Sequence, residues 1–273
     1  MNDRNIKIME LLSVNRKLKI SLLAELLDVS QVTLRKDLDY LENCGIICRT
    51  HGFACLDGAD DTGKRMAFDY IVKRRIARAA VQIVEEGETI LLESGSCCTL
   101  FADELAKAEK NVTIITNSVF LMNYLNKFHN IKIILLGGYL LPSKQVLVGP
   151  MTIKSAEIFY TDKYFLGTDG FVYDYGFTGS DLMQIETVVE LTKRAKKVFV
   201  ITESAKFKRR GLYNMIPHDK LTGVFTDENI PKEAEIVLNR NNIQLYKVPV
   251  TEEKLKRFKF SDLPPIHYIV KVN

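Results

Sequence analysis

Two patterns place this chain in the α/β class, as an N-terminal winged helix-turn-helix joined to a larger, doubly covered, mostly parallel α/β domain. Over residues 20–57, two short amphipathic segments flank a tight turn, and a compact hairpin follows. From residue 89 onward, short apolar runs rich in β-branched residues alternate with helical stretches, the mark of a sheet buried on both faces. Loops rich in Gly, Ser and Thr follow several of these runs, at the strand ends where such sheets bind ligands.

In the first module, Ser21 offers a hydroxyl cap to a helix running from Leu22 to Leu27. Asp28-Val29-Ser30 makes the turn, and Ser30 caps a second helix, Gln31 to Asn43. Leu34, Leu38 and Leu41 recur at three-to-four spacing and face inward. Gln31, Val32, Arg35 and Lys36 then face outward near the helix start, where a recognition helix presents side chains to the major groove. Gly45 ends this helix, and two short strands around Thr50-His51-Gly52 make a wing. On this pattern Gln31, Thr33 and Arg35 read bases or position the helix, while Ser30, Lys36, Arg49 and His51 hold phosphates. One such module gives a small interface, so a homo-oligomer with two recognition helices in successive major grooves is expected on double-stranded operator DNA.

The run Leu23-Ala24, Leu26, Val29-Ser30, Thr33 to Leu38, Leu41-Glu42, Gly45 and Arg49 to Gly52 resembles the DNA-binding module of DeoR-type bacterial transcription regulators. The resemblance implies a sequence-specific regulator, usually a repressor, whose C-terminal domain senses a small metabolite. Phe53 stands where the family usually has a second glycine, which implies a less open wing turn.

Composition is that of an ordinary globular protein, 47% hydrophobic and 26% charged, with no apolar run near the ~20 residues that span a bilayer. The N-terminus carries no secretory signal, so a soluble, cytoplasmic protein without a membrane partner is expected. The net charge of +4 does not come from the first module. There Arg4, Lys7, Arg16, Lys17, Lys19, Arg35, Lys36 and Arg49 are balanced by Asp3, Glu10, Glu25, Asp28, Asp37, Asp39, Glu42 and Asp57. A DNA-binding face therefore requires segregation of charge rather than excess, and charge alone leaves open a protein-binding winged helix. Five cysteines argue against a disulfide framework. Cys44, Cys48, His51 and Cys55 have ligand-like spacing, but Cys48 and Cys55 fall on paired strands where small residues pack; buried thiols, no metal and no cofactor are expected.

Residues 58–65 read as a polar linker, after a first domain of residues 1–57. A long helix from about Met66 to Glu86 opens the second domain, residues 66–250. Strands are expected at Thr89–Leu92, Val112–Ile115, Ile131–Leu136, Lys163–Leu166, Val198–Ile201, Gly223–Thr226 and Gln244–Val248, with helices at Thr99–Ala108, Val119–Phe128 and Glu186–Arg194. The strand-end loops Glu93 to Thr99, Thr116 to Ser118, Gly137-Gly138, Gly167 to Gly170 and Thr202 to Phe207 suggest one shared pocket, in which a helix start offers N–H groups to an anion. Residues 251–273 form a C-terminal extension whose role the sequence does not give.

These loops, with Val148-Gly149-Pro150, also resemble the DeoR sensor domain, whose fold is similar to sugar-phosphate isomerases. The resemblance implies a phosphorylated sugar or related small-molecule effector held by Ser94, Gly95, Ser96, Cys97, Cys98, Asn117, Ser118, Gly137, Gly138, Asp169 and Lys206. Cys97 and Cys98 replace threonines, Leu141 stands where arginine is common, and Val188-Val189 where a lysine-arginine pair is common. Loss of these cations and donors implies a less charged or differently shaped ligand, or lost sensing. The competing reading is an isomerase-like enzyme with an accessory N-terminal module, using Asp169 as base and Lys206 as the cation; the loops hold few titratable groups and no histidine, so no catalysis is expected.

Overall fold

In the computed structural model, residues 1–56 and 62–251 are described. The N-terminal region runs α1 (Asp3–Asn15), β1 (Lys17–Lys19), α2 (Ile20–Leu26), α3 (Gln31–Asn43), β2 (Cys48–Thr50) and β3 (Phe53–Cys55). Its strands form a small antiparallel sheet in the order β1-β3-β2. Leu34, Leu38 and Leu41 of α3 are fully buried against Leu12, Leu23 and Ile46, as their spacing requires. Ser30 caps α3, accepting from Thr33 N at 3.2 Å. Ser21 does not cap α2: β1 delivers the chain straight into the helix, Lys19 occupies the cap position, and Ser21 falls within the first turn.

The wing turn places both central residues at positive φ, His51 at 43° and Gly52 at 83°. That is the pattern of a type I′ turn, whose twist matches the flanking strands. Phe53 lies in β3 beneath Lys17, whose Nζ is 4.7 Å from the ring centroid. It is outside the two central turn positions and does not restrict them.

The rest of the chain comprises α4 (Thr62–Ala67), α5 (Tyr70–Val81), β4 (Thr89–Leu92), α6 (Ser96–Lys107), β5 (Val112–Thr116), α7 (Val119–Leu125), β6 (Ile131–Leu135), β7 (Tyr139–Leu141), β8 (Val146–Val148), α8 (Pro150–Ala156) and β9 (Thr161–Leu166). It continues through β10 (Gly170–Val172), β11 (Gly176–Gly179), α9 (Leu182–Thr192), β12 (Ala195–Ile201), β13 (Tyr213–Pro217), β14 (Gly223–Asp227), α10 (Lys232–Arg240) and β15 (Gln244–Val248). The long helix expected from Met66 to Glu86 is two helices. Asp69 at φ 51° turns the chain between α4 and α5, and α5 ends at Val81. The linker expectation also changes: residues 57–61 lie outside the described residues, and from Thr62 the chain is already helical, with Thr62, Gly63 and Met66 buried. The C-terminal extension lies outside the described residues beyond Thr251.

Seven strands form an all-parallel sheet in the order β15-β14-β12-β9-β4-β5-β6. Alternate residues of each strand enter different cores. Ile90, Leu92, Phe165, Phe199 and Ile201 pack beneath α5, α6 and α7. Leu91, Tyr164, Leu166, Val198 and Val200 pack beneath α8, α9 and α10. The first core continues without a break into Ile8, Leu12, Leu34 and Leu41, so the winged helix shares its apolar interior with one face of the sheet domain. Two features had no clear pattern in the sequence: the antiparallel sheet β10-β11-β13 and the hairpin β7-β8.

Phe165 is fully buried mid-sheet, with ring centroids 4.5 Å from Phe101 and 5.3 Å from Phe199. Phe165→Ala is expected to lower unfolding free energy by about 3–5 kcal/mol through lost burial and a residual cavity, read from urea denaturation. A loss below about 1 kcal/mol would mean that the sheet centre is not packed as described.

Candidate DNA interface and effector cavity

The outward face of α3 is built by subtraction. Asp37 is turned inward, where it accepts from Asn5 Nδ2 at 3.2 Å and from Asn2 Nδ2 at 3.3 Å and pairs with Arg4. Glu42 and Asp39 are both engaged by Arg49, at 2.5 and 2.7 Å. The helix's three carboxylates are thus occupied, leaving Arg35 and Lys36 as exposed cations beside exposed Gln31. Charge is segregated by pairing, as a module of zero net charge requires if it is to meet phosphates. Val32, 66% exposed, adds an apolar group to the same helix start, of the kind that suits a thymine methyl.

Arg49 is the exception among the residues expected to hold phosphate. Its Nε donates to Glu42 at 2.8 Å and its backbone N–H to the same carboxylate at 3.0 Å, so it ties the wing to α3 instead of projecting outward. Ser30 and Thr33 are engaged with each other, their hydroxyl oxygens 2.9 Å apart. His51 is exposed at the wing tip. Cys48 and Cys55 face each other across the hairpin, their Sγ atoms 2.8 Å apart, and no group of three metal-ligating side chains occurs among the described residues.

The strand order of the large sheet reverses between β4 and β9, and a cavity of about 370 Å³ opens at the strands' carboxyl ends there. Glu93, Ser94, Gly95, Ser96 and Cys97 enter it from the β4–α6 turn, Gly167 to Asp169 from β9, and Thr202, Glu203, Ala205 and Lys206 from β12. Glu93 sits at its floor, accepting from Gln184 Nε2 at 2.6 Å and Ser94 Oγ at 2.8 Å. Lys144 Nζ donates to Gln184 Oε1 at 2.8 Å and extends that chain to the β7-β8 hairpin. Burial pushes the Glu93 carboxyl above the ordinary carboxylate range, against the pull of these donors.

Glu203 behaves oppositely. Burial opposes its ionisation, but Lys73 and Lys206 outweigh that cost and hold its pKa below the ordinary value. Lys73 is almost wholly buried, 3.9 Å from Glu203, and donates to Arg65 O at 2.7 Å. Burial lowers the Lys206 pKa, with Glu203 and Asp169 resisting. The Cys97 thiol, 3.4 Å from Glu203, is pushed well up by burial and by that carboxylate. It is a neutral donor there, not a thiolate.

Six of the expected effector residues line this space: Ser94, Gly95, Ser96, Cys97, Asp169 and Lys206. Cys98, Asn117, Ser118, Gly137 and Gly138 do not. Cys98, in the first turn of α6, is fully buried. Asn117 Nδ2 donates to Leu147 O at 2.8 Å, and Ser118 caps α7, so this loop anchors the β7-β8 hairpin. Gly138 packs so closely on α8 that a Cβ would overlap Thr152 Oγ1. Sequence reasoning missed Arg16, Arg65, Lys73, Gln184 and Arg209, all of which line the cavity. With Lys144 and Lys206, the cations Arg16, Arg65, Lys73 and Arg209 share the cavity with Asp69, Glu93, Asp169, Asp181 and Glu203. Lys73 left a signal: it falls on the inward stripe of α5, three residues from both Tyr70 and Ile76, where a lysine needs a buried partner.

A winged helix with an exposed basic helix start, seated on a parallel α/β domain with a charged switch-point cavity, belongs to the class of two-module DNA-binding regulators. Residues 4–58 match the DeoR-like helix-turn-helix domain and residues 69–228 match the DeoR C terminal sensor domain; the chain belongs to the DeoR family. It is a DNA-binding transcriptional regulator and not an enzyme. It is 26% identical over 255 residues to the putative aga operon transcriptional repressor of Escherichia coli O157:H7, covering 90% of this chain and 94% of that protein. It is 29% identical to the L-fucose operon activator of Escherichia coli K12, covering 82% and 94%. Ribose 5-phosphate isomerase A from Neisseria gonorrhoeae overlaps 50% of this chain and 52% of its own at 19% identity and a TM-score of 0.38. Among the described residues no helix is long and apolar enough to cross a membrane.

Because the folded protein holds Glu93 protonated to higher pH than the unfolded chain, folding takes up a proton between the ordinary and the raised value. This group's contribution to stability is full below the ordinary carboxylate pKa and declines as pH rises through the raised one. Glu93→Gln is expected to flatten that decline in urea midpoints measured from about pH 4 to pH 8; identical slopes would contradict a buried, protonated Glu93.

Proposed function

We propose that this protein regulates a carbohydrate or related metabolic operon, acting as a repressor that binds double-stranded operator DNA through α3 as a homo-oligomer. The observation that carries the DNA-binding half is the exposed start of α3, where Gln31, Val32, Arg35 and Lys36 face solvent while the helix's carboxylates are occupied. Gln31 and Arg35 would read base edges. Ser30 and Thr33 would set the helix start, and Lys36 and His51 would hold phosphates. Arg49 would support the wing through Glu42. Two such modules related by symmetry would reach successive major grooves. The similarity to the putative aga operon transcriptional repressor and to the L-fucose operon activator supports a sugar operon, and the former supports repression. A regulator of chromosomal genes would work in the cytoplasm.

The effector half of the proposal places a small anionic metabolite, of the sugar-phosphate class, in the switch-point cavity. Lys206, Arg65 and the N-terminus of α6 at Gly95 to Cys97 would hold its anionic group, and Asp169, Gln184 and Ser94 its hydroxyls. The two halves are tested separately.

In a mobility-shift assay on DNA upstream of the encoding gene, Arg35→Ala is expected to cost about 1–3 kcal/mol of specific binding. Unchanged binding would instead favour a protein-binding winged helix. In isothermal titration against a panel of pentose and hexose phosphates, at least one is expected to bind. Lys206→Gln should weaken that binding by about tenfold or more, the size of a lost charge-assisted contact. Failure of every sugar phosphate to bind would remove the effector assignment without touching the DNA-binding one.

A further inference from the structure

Arg16 ends α1, within the winged-helix region, yet it lines the cavity of the other domain. Its main chain is fixed at both sides. The N–H donates to Leu12 O at 2.8 Å, and the carbonyl accepts from Leu56 N at 2.8 Å, where the chain leaves the wing. The backbone takes a positive φ of 62° to make this turn. The side chain reaches across to the sheet domain, where the guanidinium carbon lies over the Phe68 ring, 4.4 Å from its centroid. Phe68 occupies the break between α4 and α5 and lines the same cavity.

Among the described residues the partner of the Arg16 guanidinium is this aromatic ring, not a carboxylate. A guanidinium over a ring uses its face and keeps its in-plane N–H donors for a second partner. Those donors suit a bidentate contact to a phosphate group. Five further cations border the same space, Arg65 from α4, Lys73 from α5, Lys144 from the β7-β8 hairpin, and Lys206 and Arg209 from the loop after β12, with the carboxylates of Asp69, Asp169, Asp181 and Glu203 among them. Arg65 is 4.0 Å from Asp169, and its Nε is buried with no hydrogen-bond partner.

We propose that Arg16 is the residue through which the DNA-binding module reads the effector: the phosphate of a bound sugar phosphate is held between Arg16 on one side and Arg65 with Lys206 on the other. The inference rests on the effector reading above and adds to it that the site is completed across the domain boundary. The ligand then binds more tightly when α1 lies against Phe68 than when it does not. That difference in affinity is what a ligand needs in order to change the placement of the winged helix. Removing the Arg16 fork leaves the sensor loops able to bind but takes away the preference between arrangements.

The test uses full-length protein, with D-ribose 5-phosphate and D-glucosamine 6-phosphate as sugar-phosphate probes and inorganic phosphate as the minimal anion. Probe affinity is measured by titration, and operator affinity with and without saturating probe. Wild type is expected to shift its operator affinity by about 5- to 150-fold, the usual span of allosteric coupling. Arg16→Gln should still bind the probe, more weakly, but shift its operator affinity by less than about twofold. Arg16→Lys keeps the charge and loses the fork, and should fall between the two. It supplies the same comparison if Arg16→Gln no longer binds operator or fails to fold. A shift of wild-type size in Arg16→Gln, or in Arg16→Lys where that variant stands in, overturns the role of Arg16 and leaves the effector site intact. Wild-type protein that binds none of the three probes overturns the anion-effector reading, and this inference with it.

Discussion

Between β4 and β9 the chain's crossovers leave in opposite directions, and the cavity depends on that reversal. Right-handed connections send α6 to one face of the sheet and α9 to the other. The loops after the two central strands must therefore diverge, and space opens between them at the strands' carboxyl ends. Glu93 and Gly167 border that space from either side, with Gly167 N directed at Glu93 Oε2 across 3.4 Å. The third loop, after β12, contributes Glu203 and Lys206 because β12 is the next strand beyond β9 in the sheet. Residues far apart in sequence thus share one site through topology.

Such a space is expensive to line with charge. An unpaired buried ion costs several kcal/mol, so charges survive there only where they are partnered or lose their charge. Both solutions occur here. Glu203 is held ionised beside Lys73 and Lys206, and Glu93, among neutral donors, resists ionisation. The result is a cavity in which the Glu93 carboxyl tends toward neutrality and the other lining charges of both signs stand close together. Such a lining suits a polar ligand better than an apolar one.

How much of this was legible follows from the range of the interactions involved. The spacing of Leu34, Leu38 and Leu41 fixed α3, and the β-branched runs fixed the strands of the parallel sheet, because burial is periodic along each element. The strand-end loops located the cavity but not its full membership. Asn117 and Gly138 look like ligand-binding residues in sequence, and they serve hairpin anchoring and helix packing instead. Arg16, Arg65 and Arg209 reach the cavity only through tertiary placement, which no local pattern encodes. Arg49 was legible as a wing residue, but its capture by Glu42 depends on how the wing folds back on α3. The break at Asp69 was masked because the apolar stripe continues through it, and one left-handed residue leaves no mark on hydrophobic periodicity.

The shared core constrains how a signal could pass between the modules. Ile8, Leu12, Leu34 and Leu41 belong to the same apolar cluster as Ile76, Phe101 and Phe165, so the winged helix is packed against the sheet domain and does not hang from a tether. Lys127 reinforces this from α7's carboxyl side, its Nζ 5.6 Å from the Tyr40 ring centroid and 3.4 Å from the Tyr40 hydroxyl. Close-packed interfaces move between discrete arrangements rather than deforming continuously. A ligand acting here must therefore favour one seating of α1 and α3 over another, and it can do so only through groups that contact both modules. The cavity meets that condition at its rim, where the end of α1 and the α4–α5 break come together.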